Sequence, residues 1–147
     1  MTARPTRATV GGRAYLDLQN LARRTADQLL TSVMRGTRGA WPRACAWLLR
    51  LALETAMDDY WLRSRPEIVS MRARSPQFLV LDRPAGRHIA ARAGYAWSAL
   101  SRAGHHHSYE LGLTAGELRR LREMVAAVVH DLARAQVEQE RGADDGA

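Results

Sequence analysis

The chain has no lysine, a single cysteine and no long hydrophobic run. One cysteine cannot close an intramolecular disulfide, which excludes a disulfide scaffold. Cys45, between Ala44 and Ala46 and near Trp47, reads instead as a small buried hydrophobe, and redox chemistry is not expected of it. The apolar stretch near the middle, Ala44 to Leu49, stops at Arg50, far short of the roughly 20 residues that a bilayer-spanning helix needs. Arg4 and Arg7 have no apolar segment behind them, so no secretory signal is visible; a cytoplasmic location and no membrane partner are expected. Gly11-Gly12 lacks the spaced glycines and the lysine of a phosphate-binding loop, and no nucleophile elbow is present, so neither nucleotide hydrolysis nor serine-hydrolase chemistry has a motif to rest on.

What is present suits one globular domain: 147 residues, 46% of them hydrophobic and 25% charged, enough to bury a core. All 22 basic residues are arginine, and against 15 acids they leave a net charge of +7. The scarcity of Ile and Asn beside abundant Ala, Gly and Arg points to codon bias in a GC-rich genome, which accounts for the choice of arginine but not for its distribution. Residues 1–102 hold 17 Arg against 7 acids, whereas residues 103–147 hold 5 Arg against 8 acids. The first two-thirds therefore carry a basic surface that favours a polyanion, with Arg23, Arg24, Arg35 and Arg38 as candidate RNA contacts.

The apolar pattern is helical. Residues 1–12 read as a flexible arm, residues 13–137 as a single helical domain, and residues 138–147 as a disordered tail. Leu18, Leu21, Ala22, Ala26, Leu29, Leu30 and Val33 repeat at three and four residues, the period of an amphipathic helix from Arg13 to about Met34, closed by Gly36 and Gly39. Pro42 suits the start of a second helix, which runs to about Leu62 and is apolar around much of its circumference. Residues 65–83 form an irregular connection punctuated by Pro66 and Pro76, with a helical turn within 67–72 and a short strand or turn at 78–81. Pro84 is expected to open a third helix, on which Ile89, Ala93, Ala96, Leu100 and Ala103 form an inward stripe. Thr114 and Glu117 then make a capping box, with Leu113 and Leu118 as a hydrophobic staple. A last helix follows on the stripe Leu118, Leu121, Val125, Val128 and Leu132. An all-α bundle of four to five helices is the fold expected.

Chemistry concentrates at the end of the third helix, in Ser101-Arg102-Ala103-Gly104-His105-His106-His107-Ser108-Tyr109-Glu110. Three readings stand side by side. Protonated histidines favour a helix C-terminus, so the trio can be a solvated helix end with His107 tucked onto the apolar stripe. His106 and Glu110, one turn apart, can ligate zinc if His88 or His130 supplies a third ligand. The third reading is a site for RNA cleavage. The neighbouring acids Asp58 and Asp59 point about 100° apart on a helix and do not make a carboxylate dyad; they read as surface or capping partners for Arg63.

Arg102, four intervening residues and His107, on the penultimate helix of a small basic bundle, resemble the motif of the HEPN-domain family. The resemblance covers residues 13–137 as architecture and two positions as motif; Ala103 stands where that family often has a polar residue. It implies a HEPN-like dimer of the kind found among metal-independent endoribonucleases of toxin-antitoxin and antiviral systems. Catalytic residues would then be Arg102 and His107, with His105, His106, Ser108 and Tyr109 supporting, no metal or cofactor, and RNA and an antitoxin or regulatory protein as partners. The residue types suit that chemistry. Histidine titrates near neutral pH and can take the 2′-hydroxyl proton, and arginine offers a permanently charged donor fork to a pentavalent phosphorane. A non-catalytic helical module that binds nucleic acid or protein through its arginines is the alternative.

The second helix and the 118–132 stripe present more apolar surface than a small bundle readily covers, so a homodimer is expected. Light scattering at tens of micromolar measures this directly, and a monomer there would remove any site shared between two subunits.

Overall fold

The computed structural model describes residues 41–71, 73–105 and 112–146, together with Ala14, Asp17, Leu18, Asn20, Leu21, Arg23, Arg24, Thr25 and Gln28. The early residues so described are helical, as the period predicts, but Leu18 and Leu21 of its apolar set are exposed. From Trp41 onward the elements are α1 (Trp41–Ser64), α2 (Pro66–Val69), α3 (Ser75–Val80), α4 (Asp82–Ala85), α5 (Arg87–Gly104) and α6 (Ala115–Asp145). There is no strand among the described residues, and the fold is the all-α bundle expected.

Helix α1 is the centre of the bundle. Cys45, Ala46, Leu49, Ala52, Leu53, Ala56, Met57, Tyr60 and Trp61 are all buried, which places apolar contacts around most of its circumference. It ends because Arg65 precedes Pro66. The proline ring disfavours helical geometry in the residue before it, and Arg65 adopts φ −147°, ψ 83°. Arg65 N–H still donates to Trp61 O at 2.7 Å, and Ser64 Oγ donates to Tyr60 O at 2.8 Å, so two carbonyls of the final turns of α1 are satisfied locally.

The connection over 65–83 is built of single helical turns, and the segment Phe78 to Leu81 is helix and turn rather than strand. Two polar devices fix it. Asp58 holds the Arg74 guanidinium in a two-point ion pair, with Nη2–H donating to Oδ2 at 2.9 Å. Buried Gln77 donates through Nε2 to the carbonyls of Ile68 and Met71 at 3.3 and 3.4 Å. With these carbonyls paired, Ile68, Phe78 and Leu81 reach the core.

The third long helix does not open at Pro84. Pro84 belongs to α4, and Gly86 at φ +95° interrupts the chain before α5 begins at Arg87. Only glycine adopts that conformation readily, so it is Gly86 that sets the boundary. Along α5 the inward stripe is Ala90, Ala93, Ala96, Leu100 and Ala103, with Ile89 partly buried against it. Glu54 Oε1 clamps α5 onto α1, accepting from Arg50 Nε at 2.8 Å and from Trp97 Nε1 at 2.9 Å, while the Arg50 guanidinium lies 5.3 Å from the Trp97 ring centre.

The capping box that starts α6 has the expected geometry. Thr114 N–H donates to Glu117 Oε2 at 2.7 Å, and Glu117 N–H donates to Thr114 Oγ1 at 3.2 Å. These bonds from Thr114 hold the Glu117 carboxyl below its usual range. Leu118, Leu121, Val125, Val128 and Leu132 are buried as the stripe predicts.

Two expectations change. The tail expected to be disordered from residue 138 is helical through Asp145. Gln139 donates through Nε2 to Tyr60 Oη at 2.8 Å and to Pro84 O at 2.7 Å, and buried Gln136 precedes it by one turn, so polar contacts extend the helix beyond its apolar stripe. The apolar surface expected to require a second copy is covered in part within the chain, by α2, α5 and α6 against α1, while Trp47 and Leu51 of α1 and Val137 of α6 stay exposed. The arm at 1–12 lies outside the described residues.

Asp59 is 7% exposed, not the surface residue its sequence neighbours indicate. Arg63 Nη2 stands 3.2 Å from Oδ1, an ion pair off the alignment of a good hydrogen bond. Burial pushes this carboxyl up from its ordinary value more than Arg63 pulls it down. The folded state thus holds the Asp59 proton more tightly than the unfolded chain does. Stability from this group falls as pH rises from the ordinary aspartate value through the raised one, and the charged form is a cost above it. Asp59→Asn is expected to melt at a higher temperature than the parent at pH 7, with the advantage fading as pH drops to where unfolded aspartate also protonates. An equal or lower melting temperature at pH 7 would contradict this.

Candidate functional site

The end of α5 is held firmly enough to serve as a platform. The alanine stripe lets α5 approach α1 closely, and the Glu54–Trp97 bond fixes its position along α1. On the other side, Arg92 Nη1 donates to Asp131 Oδ2 of α6 at 3.2 Å. Ala103 is buried, so Arg102 beside it is turned outward and exposed. No ion pair to Arg102 occurs among the described residues, whereas Arg50, Arg63, Arg74 and Arg92 are each matched to a carboxylate.

His105 caps α5 with φ −98°, ψ 12°, and its N–H donates to the carbonyls of Ser101 and Arg102 at 3.3 and 3.2 Å. It is exposed. At about 100° per residue, three residues bring His105 to within about 60° of Arg102 around the helix, so both face the same side of the helix end. The C-terminus of α5 is the negative end of the helix dipole, which favours cations there and opposes an anion unless the positive charge of Arg102 outweighs it. His106, His107, Ser108 and Tyr109 lie outside the described residues, as do Arg35 and Arg38.

Of the remaining residues considered for RNA contact, Arg24 is exposed and Arg23 partly so, on the early helical segment. His88 and His130, the further zinc ligands considered, are both exposed. Among the described residues no three His, Cys, Asp or Glu side chains gather in a way that could hold a metal ion. Burial pushes the Cys45 thiol up, which disfavours the thiolate that nucleophilic or metal-binding chemistry would need.

Trp47 is the residue at this end of the molecule that periodicity did not single out. It is 56% exposed, yet its pyrrole edge lies against the last turn of α5. A Cβ placed on Gly104 would fall 3.1 Å from Trp47 Nε1 and 3.5 Å from Cδ1, so the indole rests in the space that the glycine leaves. The signal was available, since Trp47 falls between the buried positions Cys45, Ala46 and Leu49 rather than on their stripe. Among the described residues no helix is long and apolar enough to cross a membrane. No protein-family model, no curated protein and no solved structure matches the chain.

Exposed Arg102 contributes to packing only through its favourable position near the helix dipole, so Arg102→Ala is expected to change unfolding free energy by less than about 1 kcal/mol. Urea denaturation followed by circular dichroism measures it; a larger loss would mean that Arg102 is structural.

Proposed function

We propose that this chain is a HEPN-like, metal-independent endoribonuclease acting as a homodimer, with the toxin or antiviral role that the resemblance implies. The observation that supports the reading is the placement of Arg102: a solvent-facing guanidinium with no carboxylate partner among the described residues, at the helix end where the histidine run begins. His107 takes the proton of a ribose 2′-hydroxyl, whose oxygen attacks the adjacent phosphorus. Arg102 stabilises the pentavalent phosphorane. The 5′-oxygen leaves with a proton supplied by the histidine of the second subunit, giving a 2′,3′-cyclic phosphate. The dimer, the cytoplasmic location and an antitoxin or regulatory partner belong to this proposal and rest on the resemblance. Histidines 105 and 106 have supporting positions, as do Ser108 and Tyr109.

The test is cleavage of single-stranded RNA in the presence of a chelator, alongside growth of cells expressing each variant. Arg102→Ala and His107→Ala are each expected to lose about a hundredfold or more in rate. His105→Ala should remain close to the parent, and the chelator should have no effect. If His106→Ala is the inactive variant, the mechanism stands with a different base. RNA binding without cleavage by the parent protein would establish the non-catalytic alternative, and loss of activity with the chelator would restore the zinc reading.

A further inference from the structure

We propose that Trp47 is a stacking platform for an unpaired base of RNA, across the end of α5 from the phosphate held by Arg102, an assignment that rests on the function proposed above. Trp47 is more than half exposed, as is Tyr95 on α5, and it forgoes the gain that burying its ring would bring because the neighbouring core positions are filled. Trp47 is nevertheless well positioned. What sets it apart is that its pyrrole edge occupies the space a Gly104 side chain would fill, while the residue as a whole stays more than half exposed. A ring fixed in this way loses little conformational freedom when a base stacks on it.

The charges around Trp47 favour nucleic acid over an apolar partner. Exposed Arg43 lies one turn before it on α1, and His105 and Arg102 follow at the end of α5. Gly104 and Arg102 are two residues apart, which puts them about 160° apart around the axis, on opposite flanks of the helix end with His105 between them. A strand that crosses the end of α5 can therefore set a base on the Trp47 indole and a neighbouring phosphate on Arg102. Stacking works for every base and needs the base to be unpaired, so the substrate class is single-stranded RNA rather than duplex.

The test measures binding, not cleavage. The probe is a fluorescein-labelled 2′-O-methyl oligoadenylate of about 12 nucleotides, which is long enough for such a site and has no free 2′-hydroxyl to attack. By fluorescence anisotropy at low salt, Trp47→Ala is expected to weaken binding by about tenfold or more, and Trp47→Phe to recover most of that loss. Trp47→Leu, apolar but without an aromatic face, should not recover it. The salt slope distinguishes the two contacts: Trp47→Ala should leave it unchanged, and Arg102→Ala should reduce it by about one phosphate contact. Melting temperatures identify any variant whose fold is disturbed, in which case the Phe and Leu variants carry the comparison. Equal binding by Phe and Leu variants, parental binding by Trp47→Ala, or a loss as large on replacing exposed Leu51 with Ala would overturn the assignment. Absence of probe binding by the parent would also overturn it. The cleavage reading stands or falls separately on whether Arg102→Ala and His107→Ala abolish cleavage.

Discussion

Because α1 carries apolar side chains around most of its circumference, it has to be covered, and α2, α5 and α6 pack against it, with α3 and α4 packed in turn on α5. Fully burying each leucine, methionine or aromatic of that helix favours the folded state by about 1.5–3 kcal/mol. Enclosure also brings polar groups inside. Gln77, Gln136 and Asp59 are buried with the core, and Trp61 Nε1 has no hydrogen-bond partner among the described residues. An unsatisfied donor of that kind costs about 1–3 kcal/mol, which the surrounding apolar contacts outweigh. The helix that provides the core therefore also provides the local weak points.

The path from this packing to the candidate site is short. Alanines at 90, 93, 96 and 103 keep α5 thin enough to lie close to α1, and inward Ala103 leaves Arg102 facing water. Gly104 continues the same economy of side chains, where its missing Cβ admits the Trp47 indole. Position of the cation and position of the aromatic thus follow from one run of small residues.

Much of this was legible in the amino-acid order. The stripe from Leu118 to Leu132, the Thr114–Glu117 cap and the inward face of the penultimate helix are local patterns of three and four residues, and they appear in the structure where periodicity puts them. Boundaries set by one backbone angle were not legible. Gly86 could be read as an ordinary helix residue until its positive φ separated α4 from α5. Contacts between distant segments were equally hidden: nothing near Gln139 in sequence announces Tyr60 or the carbonyl of Pro84, and so the last helix looked shorter than it is. At the candidate site, Arg102 and His105 were readable as an outward helix end. The exposure of Trp47 could be read from its place off the buried stripe, but its seat could not, because that lies on another helix, 57 residues away in the chain.

The extension of α6 has an electrical consequence. A helix of 31 residues is about 46 Å long, and every residue from Glu140 to Asp145 is exposed. Residues 138–145 carry Glu138, Glu140, Asp144 and Asp145 against Arg141 alone, a net charge of −3 at the negative end of the helix dipole. The remainder of the chain carries +10, since the two must sum to the +7 of the whole. That acidic tip repels a polyanion in a chain otherwise strongly basic, so a polyanion is steered toward other surfaces before any specific contact forms.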